Sequence, residues 1–280
     1  MISLSETTLE TQGLLDFDEL KIYYGYDYYP TPKIKIRVPL MQEIIDYGDS
    51  KFMSMVSTLC SNTTSFRLQL WKMGIDWCKI TDFELFRLLI KNYTPSETYL
   101  LFGDLNLSWF EEFHNNEADC DMLVYIPRDE DGNPIQMNIT SLDELTTIYE
   151  TDYIKIVEFL RFVYNIHPKV EKALGRATKE AIIEEEEMNL AAENKKKKDR
   201  NIQKSFLLPL ISALCNHPGF KYKKTELLEV NIYEFMDSVR RLQTYESTTA
   251  LMKGIYSGMV DTSKIKNLSE ELNWMKDLNE

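Results

Sequence analysis

The sequence predicts an α+β fold that is mostly α-helical, with a mixed N-terminal part of short β-hairpins and helices and a C-terminal helical bundle. Three observations predict it. Period-two alternation, as in Lys33-Ile34-Lys35-Ile36-Arg37-Val38, belongs to short stretches before residue 140. From Ser141 onward the apolar residues recur at helical spacing almost to the end. Charge divides in a similar way: residues 1–167 hold 27 acidic and 13 basic side chains, whereas residues 168–280 hold 18 and 19.

Residues 1–20 read as an arm with a small apolar patch at Leu14, Leu15 and Phe17. Lys21–Tyr24 and Lys33–Val38 read as strands, joined by a proline turn at Tyr29-Pro30-Thr31-Pro32. After Pro39 the period changes. Leu40, Ile44, Ile45 and Tyr47 define a short helix stopped by Gly48. Phe52 to Leu59 define a second, and Phe66 to Trp71 a third, stopped by Gly74. Thr81-Asp82-Phe83-Glu84 has the form of a capping box, in which the Thr hydroxyl accepts from the third helical amide and the Glu reaches back. Thr94-Pro95-Ser96-Glu97 repeats the arrangement, with proline at the favoured first helical position.

Residues 104–138 return to extended structure. Met122–Ile126 and Pro134–Ile139 flank the polar, Asp-Gly-containing stretch Arg128–Asn133, a hairpin signal. Ser141-Leu142-Asp143-Glu144 is a third capping box, and Ile154 to Val163 form an apolar helix ending near His167-Pro168. Residues 175–204 carry the acidic run Glu184–Glu187 and the basic run Lys195–Lys198, which suit a solvated helix or a hinge outside any core. Phe206 to Leu214 form a helix stopped by His217-Pro218-Gly219. Leu227, Leu228 and Val230 give a short turn. Ile232, Phe235, Met236, Val239, Leu242 and Tyr245 then make the stripe of an amphipathic helix that runs to Gly258. Leu268 to Leu278 close the chain with one more helix. The predicted division is an arm at 1–20, an acidic mixed domain at 21–167, a charged helical linker at 168–204 and a helical domain at 205–280.

Composition narrows the function. The net charge of −13 repels phosphate at long range and disfavours nucleic acid as a general partner. No stretch reaches the roughly 18 apolar residues of a membrane span, and the acidic Met1–Leu20 segment lacks the basic start of a secretory signal. The four cysteines, Cys60, Cys78, Cys120 and Cys215, fit neither a zinc pair nor a disulfide framework, so reduced thiols in a cytoplasm are expected.

The chemistry-bearing residues are sparse. His167 and His217 sit beside prolines at helix ends, where histidine is commonly structural. His114 stands among Glu111, Glu112, Glu117, Asp119 and Cys120, a set able to hold a divalent metal but without strong ligand spacing. Asp129–Asn133 fails as a calcium loop, since the twelfth position is Thr140. No phosphate-binding glycine motif and no nucleophile elbow occurs. Lys195–Arg200 either touches nucleic acid or an acidic partner, or balances Glu184–Glu187 across a solvated helix, the commoner use. A helix-turn-helix reading of Lys224–Leu242 meets Glu234 and Asp237 where a recognition helix would meet DNA. No catalytic residue, metal or cofactor is expected.

Several stretches carry a resemblance. Lys33–Pro39 leads into Glu43–Gly48, and Gly74-Ile75-Asp76-Trp77, Asp82–Phe86 and Leu101–Leu105 follow in order. Ile232–Val239 and Leu272–Met275 fit the same pattern. The chain resembles tail assembly chaperones of phages that infect low-GC Gram-positive bacteria. The resemblance implies a non-enzymatic morphogenesis protein of the host cytoplasm that binds the helical tape-measure protein or a tail tube protein. It also implies contact residues on the last helices: Phe235, Met236, Val239, Leu242, Leu272 and Trp274. The same stripe equally suits the internal core of the C-terminal bundle. Two alternatives stay open: a structural tail or baseplate component, with homo-oligomerisation, and an enzyme whose site is assembled from distant residues, of which a buried cluster of His114 with Cys120 and the neighbouring carboxylates would be the sign.

Overall fold

In the computed structural model the described residues are 17–116, 118–129, 131–135, 144–198 and 204–278, without the side chains of 193–198. The fold is α+β, 53% helical, with a mixed N-terminal part and a helical C-terminal part. Its N-terminal elements are α1 (Glu19–Tyr23), β1 (Tyr28–Thr31), β2 (Ile34–Ile36), α2 (Met41–Tyr47), α3 (Asp49–Leu59), α4 (Arg67–Lys72), α5 (Asp82–Ile90) and α6 (Pro95–Phe102). Then come β3 (Phe110–Asn115), β4 (Cys120–Tyr125), β5 (Thr147–Ile148) and α7 (Glu150–Tyr164). The rest is helical: α8 (Arg176–Lys198), α9 (Leu207–Asn216), α10 (Ile232–Tyr256) and α11 (Leu268–Glu271).

Where the local signals are strong, the elements follow them. The first capping box forms in full: the Glu84 amide donates to Thr81 Oγ1 at 3.1 Å and the Thr81 amide donates to Glu84 Oε2 at 2.7 Å. At Thr94 only the return half forms. The Thr94 amide and hydroxyl both donate to Glu97 Oε2, while the Glu97 amide turns to the Thr94 carbonyl. The box predicted at Ser141 lies outside the described residues, as does the apolar patch at Leu14 and Leu15. Phe17, by contrast, packs edge-on against Tyr28 and Phe159.

Four expectations are corrected. Lys21–Tyr24 is not a strand but the body of α1, because the Asp18 carboxylate accepts from the Leu20 and Lys21 amides and starts a helical turn. The partner of β2 is therefore Tyr28–Thr31. Pro30 lies inside β1, not in the turn, and it sits where the register shifts, a position that does not need its missing N–H. The second hairpin also pairs differently. β4 lies antiparallel to β3 and β5, because the buried Met122, Leu123 and Val124 need a neighbour that continues the core. The turn at Arg128–Asn133 forms, with the Asn133 amide on Asp129 Oδ1 at 2.8 Å, Gly132 at positive φ and a bridge from Arg128 to Pro134; 136–139 and Glu130 lie outside the described residues. Finally, the closing helix is short. α11 ends at Glu271, and 273–278 continue without helix.

One core joins the mixed part to α9 and α10. Phe159 of α7 stacks on Tyr28 at 4.5 Å between ring centres, and Phe162 stacks on Tyr233 of α10 at 5.2 Å. Leu207, Leu214, Ile232 and Phe235 lie in the same buried cluster as Ile34, Phe52 and Ile156. The backbone closes this junction. The Met41 amide donates to the Val230 carbonyl, the Ile232 amide to the Pro39 carbonyl, and Asn231 Nδ2 to the Tyr23 carbonyl at 2.8 Å.

A second, smaller cluster forms around Trp77, with Leu68, Leu70, Leu85, Ala173 and Ile183. Here the expectation that 175–204 lies outside any core is corrected in part. Ile183 of α8 is buried because the preceding strap, residues 169–173, is tied down: Asn62 Nδ2 donates to the Lys169 carbonyl at 2.9 Å, and Trp77 Nε1 to the Glu171 carbonyl at 3.2 Å. Arg67 pairs with both Glu171 and Glu186. Lys179, itself buried, reaches Asp76 Oδ2 at 2.6 Å and lies over the Trp77 ring.

The Lys179 bond, above all, holds the Asp76 carboxyl below its ordinary value of 3.8. A carboxylate lowered in the folded state stabilises above its unfolded pKa and stops doing so as pH falls through the folded value. The docking of α8 is therefore expected to be insensitive to pH from neutrality down to about pH 4 and to weaken below it. Proteolysis within α8 as a function of pH measures this. In Asp76→Asn the acid-dependent step is expected to disappear, and an unchanged step would assign it to another group.

Candidate partner-binding cleft

The site is built on α10. Asn231 caps it, accepting from the Glu234 amide at 3.0 Å while its amide group holds α1. The first turns of α10 dock: Ile232, Tyr233 and Phe235 are buried, and Met236, Val239 and Leu242 lie half-buried against the main core. Beyond Tyr245 the helix is more exposed, with Met252 and Tyr256 open to solvent. The chain then turns back through Gly258, at φ +72°, and a 3-10 turn at Thr262–Lys264, and lays residues 268–276 along α10.

Between α10, the loop 219–222, Tyr23 of α1 and Trp274 lies a cleft of about 440 Å³. Its walls are aromatic: Tyr23, Phe220, Tyr222, Tyr245 and Trp274, with Leu242 at the floor. Phe220 meets Tyr222 edge-on at 5.6 Å, and Tyr245 meets Trp274 edge-on at 5.6 Å. Polar groups are fixed around them. Tyr222 donates its hydroxyl to Glu234 Oε1 at 2.8 Å, and that bond, then burial and the Glu234 charge, pushes the phenol up to about 12. Burial first, and then Glu234 and Asp237, raise the Tyr23 phenol. Both rings therefore stay neutral at physiological pH. Arg241 donates from Nη1 to the Trp274 carbonyl at 3.1 Å and the Lys276 carbonyl at 2.7 Å, and its Nη2 lies 3.6 Å from Asp237.

The loop that carries Phe220 and Tyr222 is held by His217. The Gly219 amide donates to Nδ1 at 3.0 Å, so the ring proton sits on Nε2, which donates to Glu246 Oε1 at 3.0 Å. A helix stop thus serves to orient one wall of the cleft.

The six residues predicted as partner contacts divide. Leu242 and Trp274 line the cleft. Met236 and Val239 pack against the core, and Leu272 is half-buried. Phe235 is 0% exposed, so its expected contact with a partner is corrected: it seats α10 on the N-terminal part. The sequence alone does not single out Phe220 and Tyr222 as site residues. The aromatic pair directly after the His217-Pro218-Gly219 stop was the available signal.

Other candidates resolve into ion pairs. His114 lies on β3 with Nδ1 at 3.0 Å from Asp121 Oδ1 and Nε2 at 3.5 Å from Asp119. Hydrogen bonding to Asp121 raises the imidazole pKa, and the bonds to His114 and Arg87 lower that of Asp121. Arg87 also faces Glu84 and Glu112. Among the described residues no group of three or more His, Cys, Asp or Glu is placed to hold a metal ion, and the cysteines are free thiols. The start of α10 faces the core through Ile232 and Phe235. Lys195–Lys198 lie at the end of α8, their side chains outside the described set. No helix of the described residues is long and apolar enough to cross a membrane.

The cleft lies in a C-terminal helical stretch whose family match supports a phage protein of low-GC Gram-positive hosts. Residues 194–279 match the family described as the YomV second domain, a phage-associated family from the Bacillus phage SPBc2 region. The matched stretch holds every residue of the cleft except Tyr23. Comparison with curated proteins and with solved structures returned no match.

Proposed function

We propose that this chain is a non-enzymatic phage morphogenesis protein, a tail assembly chaperone that covers apolar segments of the helical tape-measure protein before the tail tube encloses them. The observation that carries the reading is the aromatic cleft on α10, inside the stretch that matches a phage-associated family. Aromatic walls with fixed polar groups suit an amphipathic segment laid into a groove. The strong negative charge of the N-terminal part would keep such a complex soluble.

Co-expression with the large helical product of the neighbouring gene tests this. That product is expected to move into the soluble fraction and to co-purify with the chain. Phe220→Ser with Tyr245→Ser is expected to weaken the association at least about tenfold, since aromatic anchors dominate interfaces. Equal solubility of the product with and without this chain ends the chaperone reading. A stable homo-oligomer retained in purified virions would favour a structural tail component instead.

A further inference from the structure

The segment that returns along α10, residues 261–278, is attached differently from everything else in the C-terminal part. Neither its 3-10 turn nor α11 buries a residue, and Met275 lies open to solvent. Its grip on α10 includes a few directed contacts. Arg241 Nη1 donates to the carbonyls of Trp274 and Lys276, Thr248 Oγ1 donates to the Glu271 carbonyl at 3.2 Å, and the Trp274 ring stands edge-on to Tyr245. A segment whose own helical turns bury no residue, held by three side-chain-to-carbonyl hydrogen bonds that are exposed or only part-buried, belongs toward the low-stability end of a protein and opens without global unfolding.

What the segment covers has its own chemistry. With this segment lifted, Arg241 keeps Asp237 but loses both carbonyl acceptors, and Tyr245 loses the ring against it. A guanidinium beside an aromatic face, next to the walls Phe220 and Tyr222, then asks for two carbonyl oxygens and an aromatic or large apolar side chain. The end of a helix supplies free carbonyls of this kind.

We propose that residues 261–278 are a releasable plug, the intramolecular occupant of a docking site formed by Arg241 and Tyr245. A partner segment of the same chemistry, a helix end carrying an aromatic side chain, takes the plug's place when it binds. This rests on the cleft being the partner site and names what the cleft accepts. The plug also explains why Trp274 is both a wall of the cleft and an exposed residue.

Three measurements test it. In the full chain, hydrogen exchange at amides 270–276 is expected to be at least about 100-fold faster than at 235–242; equal protection overturns the plug. For the full chain carrying Trp274→Ala, which loosens the plug, the added probe is a synthetic peptide of residues 261–278. It is expected to bind saturably, and both Arg241→Gln in the chain and Trp274→Ala in the peptide are expected to weaken binding at least about tenfold. A full-length Trp274→Ala chain that ignores the peptide overturns the site. In the complex with the co-expressed tape-measure product, amides 270–276 are expected to lose protection while 239–246 gain it. A plug that stays protected there overturns displacement. The first two measurements use no phage partner, so they stand or fall apart from the chaperone reading.

Discussion

Phe235→Ala is expected to lower the unfolding free energy by about 3–5 kcal/mol, the range for removing a fully enclosed aromatic ring. The ring is 0% exposed and sits in the cluster that also holds Tyr233, Phe159 and Ile34. It is one of the side chains through which α10 grips the N-terminal part. Removal leaves a cavity at a junction that α7 and the Asn231 bonds keep from collapsing. The loss is therefore expected to be global: urea unfolding followed by far-UV circular dichroism and by Trp fluorescence should shift together. Met236→Ala, one residue away but only half-buried, is expected to cost less. If Phe235→Ala instead left stability intact and removed partner binding, the placement of the stripe in the core would be wrong.

Trp77→Ala is expected to cost a similar amount, about 3–5 kcal/mol, but locally. Trp77 is 1% exposed and is the largest residue of the second cluster. Its ring meets Trp71 edge-on and lies under Lys179, and its N–H holds the Glu171 carbonyl. Without it the strap at 169–173 loses a hydrogen bond and α8 loses the surface it lies on. Among the remaining anchors, Arg67 with Glu171 and Glu186 are partly exposed ion pairs of small worth, and Lys179, though still paired with Asp76, loses the ring it lies over. Limited proteolysis should open α8 while exchange at Phe235 and Ile232 keeps its protection. A single transition shared by both clusters would show that they are one cooperative unit.

These two residues also show what was legible. Helix starts and stops depend on nearest neighbours, so Thr81, Gly48, Gly74 and the His217-Pro218-Gly219 break could be read directly. α1 was misread because one turn is too short for a period, and only the Asp18 cap distinguishes it from a strand. β4 was given the wrong neighbour because alternation marks a buried face without naming its partner. Within the site, Leu242 and Tyr245 were legible as apolar positions of α10, and Trp274 as an apolar position although no helix carries it. Phe220 and Tyr222 were not, since a loop has no periodicity and His217 fixes it through non-sequential contacts with Glu246.

The sequence by itself determined an α+β chain with an acidic mixed part and a near-neutral helical part, and with an amphipathic helix at 232–256. Local propensity, capping and charge are properties of short stretches, so one chain carries that information in order. Only the tertiary structure decided which side of the amphipathic stripe is used, which turns Phe235 into an anchor and leaves Tyr245 for the cleft. It also buried Lys179 in a segment that composition marks as solvated. Periodicity reveals that a face is apolar; what covers it is set by elements far away in the chain.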